Sequence, residues 1–177
     1  MSSMPMQITL LDGLVSNAVI SDCGQYRYVL RRAGELPNPS SSVVLFVMLN
    51  PSTADAQFDD PTIRRCRAFA RTWGCAGLTV ANLYAYRATN PVELKTCPDP
   101  VGPDNDKWIG ELAIKYRDVV CAWGANADPQ RAAEVVRIFR KLKRRLLCLG
   151  TTQSGAPRHP LYVKGDTPLV EYNPEAL

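Results

Sequence analysis

The chain reads as an α/β protein of three layers, with helices on both faces of a central, mainly parallel, four-stranded sheet and a β-hairpin ahead of it. Three observations predict this. The runs VVLFVMLN (43–50), GLTVANLYAY (77–86), DVVCAWG (118–124) and RLLCLGT (145–151) have strand length and are largely apolar, as in strands covered on both faces. Three segments with helical features lie between them. The alternation of strand and helix is the rhythm of crossover connections in a parallel sheet. With 177 residues, 46% of them hydrophobic, the chain suits one domain, residues 1–42 forming a hairpin and loop and 43–177 the α/β core.

Each element has a local reason. NAVISDCGQYRYVLRR (17–32) alternates around Cys23-Gly24, which predicts a β-hairpin, and AGELPNPSSS (33–42) is a polar Pro/Ser loop. After the first apolar strand, PSTADAQFDD leads to a helix over 61–73. Asp60 suits its cap, Pro61 its first turn and Gly74 its exit, and Ile63, Cys66, Phe69, Ala70 and Trp73 give it an apolar face. A long loop, RATNPVELKTCPDPVGPDN, separates the second strand from a helix over 105–117, whose apolar members include Trp108, Leu112 and Ile114. A third helix, 129–144, joins the last two apolar strands, and the Gly/Pro-rich remainder ends in a short closing strand.

Composition removes several classes of function. The charged fraction of 21% argues against wholesale disorder, and no apolar run approaches the length needed to cross a bilayer. MSSMPMQITLLDG lacks the basic start of a secretion signal, so a cytoplasmic location is expected. Six cysteines without a C-x-x-C pair, and a sole histidine, His159, disfavour structural zinc; the thiols read as reduced, with Cys121 and Cys148 as small buried hydrophobes. No metal and no cofactor is expected. The absence of G-x-x-x-x-G-K-[ST], G-x-G-x-x-G and G-x-S-x-G argues against a P-loop NTPase, a typical dinucleotide enzyme and an α/β-hydrolase. A net charge of +4 permits a polyanionic partner without requiring one.

In parallel α/β sheets ligands bind at the carboxyl ends of the strands. Three polar segments leave those ends: Asn50-Pro51-Ser52, Asn82 with its neighbours, and the loop through Arg158-His159-Pro160. The Asn50 carboxamide both donates and accepts, so it suits a held water or a polar ligand edge; an Asn-Pro turn former is the other reading. Among Asp55, Asp59 and Asp60, one carboxylate could act as general base, with helix capping the simpler role for Asp60. His159 sits between rigid flanks and is a candidate acid–base or hydrogen-bonding group, with a structural histidine as the alternative. The helices at 61–73 and 129–144 are rich in arginine and lysine, and either face phosphates or are simply solvated.

Taken in order, these pieces resemble the uracil-DNA glycosylase superfamily over about residues 43–163. VVLFVMLNPS looks like its first motif, VANLYAYRATNP its central strand and following loop, VVCAWGANA its apolar strand ending in Trp-Gly, and RLLCLGTTQSGAPRHPLYV its closing strand and His-Pro-Leu loop. The chain also looks like a bacterial family described only as a domain of unknown function, with Asn-Pro-Ser-Thr-Ala-Asp and Arg-His-Pro-Leu-Tyr as landmarks.

The resemblance implies a glycosylase-like fold and a DNA N-glycosylase. Asn50, followed by Pro51, matches the residue that holds the attacking water, Asn82 the one that hydrogen-bonds the flipped pyrimidine, and His159 the one that stabilises the departing base anion. Leu161 matches the wedge that fills the vacated stack, and Phe58 the aromatic that stacks on the base. Asn50 cannot deprotonate water, so Asp55 or Asp59 is expected to assist. Ser52 stands where uracil-specific members have a blocking Tyr, which implies a pocket open to C5-modified pyrimidines such as hydroxymethylated or glucosylated phage bases. Arg64, Arg87, Arg158 and Lys164 are the expected DNA contacts, the partner being double-stranded DNA with a flipped base and the protein a monomer. The paired cysteines of the iron–sulfur subgroup are absent. The role would be antiphage defence or base-excision repair. Two other classes remain: a non-catalytic module reading a base or nucleotide, and an enzyme acting on free modified nucleosides or nucleotides.

Overall fold

The computed structural model describes residues 15–34 and 42–174. The expected N-terminal features before residue 15, and most of the loop at 33–42, lie outside them. The hairpin is formed by β1 (Asn17–Ile20) and β2 (Arg27–Ala33). Gly24, at φ +73, turns the chain in a conformation that costs an L side chain dearly. The α/β core follows as β3 (Val43–Met48), α1 (Pro61–Thr72), β4 (Gly77–Asn82), α2 (Glu93–Thr96), α3 (Asn105–Lys115), β5 (Asp118–Cys121), α4 (Pro129–Lys141) and β6 (Arg145–Cys148). A 3₁₀ turn at Pro160–Tyr162 and β7 (Val170–Glu171) complete it.

The sheet is wider than four strands. Seven strands pair in the order β1-β2-β4-β3-β5-β6-β7. The four expected core strands run parallel at its centre, Leu45 opposite both Thr79 and Val119, and Val119 opposite Leu146. The hairpin does not stand apart: β2 pairs antiparallel with β4, Leu30 opposite Val80. At the other edge, β7 pairs antiparallel with β6. The physical reason is edge protection, since unpaired strand edges expose backbone donors and acceptors.

Period-two alternation sends side chains to two cores. Leu45, Val47, Val119 and Cys121 join Ile109, Leu112, Val135 and Phe139 of α3 and α4 on one face. Phe46, Met48, Val80 and Val120 join Ile63, Cys66, Phe69 and Ala70 of α1 on the other. The start of α1 is as read, Asp60 accepting the N–H of Ile63; α4 starts in the same way, Asp128 accepting that of Arg131, and each cap is followed by proline. Such a cap is worth about 1 kcal/mol. Cys121 and Cys148 are buried, and burial pushes both thiols up. The short α2 falls in a stretch read as loop, and α4 ends at Lys141 with Lys143 at φ +54. No helix among the described residues is long and apolar enough to cross a membrane.

In this order the chain leaves β3 toward β4 on one side and crosses to β5 on the other. That reversal opens a crevice at the carboxyl ends of β3 and β5, because the connections following these strands diverge.

Candidate active site at the strand ends

The crevice is a cleft of about 400 Å³, inside the range of roughly 300–1,000 Å³ that suits small ligands. Asn50, Asn82 and His159 all line it, so the three strand-end segments do converge. Ser52 and Arg158 line it as well. So do Trp123, Gly124 and Asn126 from the end of β5.

Asn82 ends β4 and is 1% exposed. Its backbone is held from two helices: the Asn105 amide donates to the carbonyls of Asn82 and Leu83, and Arg131 Nε also donates to Leu83. Arg131 is in turn paired with Asp106 and Glu134. The Asn82 side-chain Nδ2 is buried with no partner among the described residues. An orphaned buried donor is costly in a free protein and marks a place for an acceptor. Asn50 is anchored differently. Its Nδ2 donates to the carbonyls of Pro51 and Ala88, at 3.0 and 2.8 Å. Among the described residues its Oδ1 accepts no hydrogen bond, so it can orient a water but not deprotonate one.

His159 opens the 3₁₀ turn, and its Nδ1 accepts the N–H of Leu161 at 3.3 Å. That bond assigns the proton of the neutral ring to Nε2, which becomes a donor. Burial pushes its pKa below the ordinary value, and the charge of Asp60 pulls the other way. Gly124 makes this placement possible. It sits at φ +77, donates to the Pro157 carbonyl, and an added Cβ would stand 3.3 Å from that of His159.

The acidic loop is arranged otherwise than its sequence implies. Asp55 turns back to accept the N–H groups of Gln57 and Phe58, which hold its pKa down. Asp59 is spent on Arg32 and Arg67, at 2.6 and 3.2 Å. Neither lines the cleft, and the expected assisting roles of Asp55 and Asp59 lose their geometry. The carboxylate that does line it is Asp60, 8% exposed and bound through Oδ1 to the start of α1. The capping signal was legible; its second exposure to the cleft was not.

Phe58 is 69% exposed and outside the cleft lining, whereas Tyr162 lines it, with its ring 5.5 Å from that of His159. Pro51 is buried and not part of the cleft lining, and its carbonyl accepts from Asn50 and Ala88. Leu161 is exposed on the turn between His159 and Tyr162 but is not part of the cleft wall. Of the expected DNA contacts only Arg158 lines the cleft, its Nε donating to Thr151. Arg64 and Arg87 donate to the carbonyls of Asp59 and Gly24, and Lys164 lies exposed beyond the turn. Much of the basic character of α4 and its exit is also engaged, Arg140 with Pro174, Arg144 with Ala113 and Ile114, Arg145 with Asp118.

A buried cation is among the cleft residues that the sequence reading did not single out. Arg27, from β2, is 2% exposed and lines the cleft. Its Nη1 donates to the Ala54 carbonyl, while its Nε is buried without a partner among the described residues. Burial lowers its pKa to about 10, the charge of Asp60 opposing that shift, so it is a cation at neutral pH. No group of three or more His, Cys, Asp or Glu suited to a metal occurs among the described residues.

These features define an α/β protein with a cleft of mixed polar and apolar lining at the reversal of its sheet. The chain belongs to the family described as protein of unknown function (DUF1643), whose model matches residues 27–161 and so spans every cleft-forming segment except the tip of the final turn. Searches of curated proteins and of solved structures return no match.

Proposed function

We propose that this protein is a DNA N-glycosylase that takes an everted, C5-modified pyrimidine into the cleft and hydrolyses its bond to the sugar. The observation that carries the reading is the convergence of Asn50, Asn82 and His159 on one cleft, with Asp60 supplying a carboxylate beside them. Breaking an N-glycosidic bond develops positive charge on the sugar and negative charge on the base, so the site needs aimed donors and a held water. Asn50 Oδ1 orients the water, and Asp60 receives its proton. The orphaned Nδ2 of Asn82 donates to an acceptor on the base edge. His159, neutral, donates through Nε2 to the base oxygen on which charge develops.

Ser52 supports the C5-modified substrate. It is half-buried in the cleft lining, and its small side chain leaves room where a tyrosine would stand. Tyr162, 82% exposed, and Leu161 form an apolar tip at the mouth. Such a tip suits stacking on a base and filling the gap that eversion leaves, at a cost of roughly a few kcal/mol in unstacking. Arg158 and Lys164 flank it and suit phosphates. The reaction leaves an abasic site and would remove foreign or damaged bases.

The test is incubation with duplexes carrying uracil, a thymine mismatch, 5-hydroxymethylated or glucosylated pyrimidines, with released bases read by mass spectrometry. Release of a C5-substituted base, lost in Asn82→Ala and His159→Ala, is the expected result. Preference for plain uracil refutes the substrate claim. Tight binding with no release from any duplex refutes the enzyme and favours a base-reading module.

A further inference from the structure

The buried cation in the cleft has no ordinary structural explanation. Arg32, on the same strand, is equally buried and fully employed: it pairs with Asp59 and donates to the carbonyls of Arg31, Asp55 and Phe58. Among the described residues the Arg27 side chain makes one hydrogen bond, to Ala54, keeps an orphaned Nε, and has no carboxylate within ion-pair reach. The charges that act on it are Asp60 and Asp55 in its favour and Arg87 and Arg32 against. Burying an unpaired charge is expensive, and the usual remedy is a counter-charge. The cleft it faces holds a second orphaned donor, Asn82 Nδ2. Two residues lining one cleft, each with a buried donor that has no acceptor among the described residues, fit a ligand whose inner end is an anion or a strong acceptor.

We propose that Arg27 is a further catalytic residue, forming an anion-holding wall that takes the pyrimidine ring in its ionised form. The assignment deepens the glycosylase reading and rests on it for the identity of the ring. As the C1′–N1 bond breaks, its electron pair stays on the base. The water at Asn50 bonds to C1′ and its proton goes to Asp60. The base anion lies against Arg27 and Asn82 until it takes a proton from solvent and leaves. A buried, fixed guanidinium stabilises that charge without reorganising, which is where such groups act most strongly.

The probe is free 5-nitrouracil, an acidic pyrimidine whose absorbance changes on ionisation. Wild-type protein is titrated with it, with 1,3-dimethyl-5-nitrouracil, which cannot ionise, and with inorganic phosphate as competitor. The expected result is binding as the anion at least tenfold tighter than the dimethyl compound, with the ring's ionisation shifted to lower pH and little displacement by phosphate. Arg27→Gln should lose that preference, and Arg27→Lys should keep part of it. Base release from the best duplex should fall about 100-fold in Arg27→Gln. Equal binding of the two nitrouracils, binding of neither, displacement by phosphate at comparable concentration, or an unchanged preference in folded Arg27→Gln overturns the assignment. Anion binding that depends on Arg27 in a protein that releases no base leaves the wall standing and removes the glycosylase. Release that survives Arg27→Gln does the reverse. If Arg27→Gln fails to fold, Arg27→Lys carries the variant comparison, and equal binding of the two nitrouracils by wild-type protein still overturns the assignment.

Discussion

Arg27 and Arg32 share one strand and one degree of burial, yet their surroundings differ in kind. Arg32 reaches the acidic loop and has its carboxylate, Asp59, at 2.6 Å, with further backbone carbonyls around it. Arg27 reaches the neighbouring part of the same loop, at Ala54, and is left with donors to spare. The contrast separates a cation that holds the fold from one that waits for a ligand. It also explains why the acidic loop contributes Asp60 alone to the cleft: Asp59 is committed to the fold and Asp55 to its own turn.

The largest expected effect comes from orphaning the structural arginine. Asp59→Ala strands Arg32 as a buried, uncompensated charge and should cost about 3–5 kcal/mol. Denaturant unfolding, with the slope unchanged, measures it. Arg27→Met removes a buried cation instead of stranding one, and should change stability by about 1 kcal/mol or less in either direction. Equal losses in the two variants would erase the distinction.

Gly124→Ala tests the other wall of the cleft. The left-handed backbone at φ +77 and the close approach to His159 predict a loss of about 1–2 kcal/mol. Base release should fall further than stability alone accounts for, because His159 is pushed from its place. Thermal melts and release assays on the same preparation check both halves.

The smallest effect is a titration. Burial lowers the pKa of His159, so its imidazole should titrate below the ordinary 6.5. Asp60→Asn removes the charge that favours the imidazolium and should lower the midpoint further. NMR of the sole histidine reads this directly. The sign for stability follows: the contribution is present above the unfolded value and is lost as pH falls through the folded one. A midpoint above 6.5, or one that Asp60→Asn raises, contradicts the placement of both groups.

What the sequence determined alone was local and periodic. Largely apolar runs marked the four central strands, Asp-Pro and Gly signals bounded α1, and strand polarity placed Asn50, Asn82 and His159 at one end of the sheet. These depend on backbone preference and on the polarity of parallel connections, which are written in short stretches of chain. Only the tertiary structure decided that the hairpin joins β4, that Tyr162 rather than Phe58 faces the cleft, and that Asp60 and Arg27 both line it while Asp55 and Asp59 do not. Each of those outcomes turns on which side chain finds a partner across a long loop. Asp59 met Arg32, and Arg27 met only a carbonyl. No periodicity encodes that choice, because it is settled by distance and desolvation after the sheet has closed.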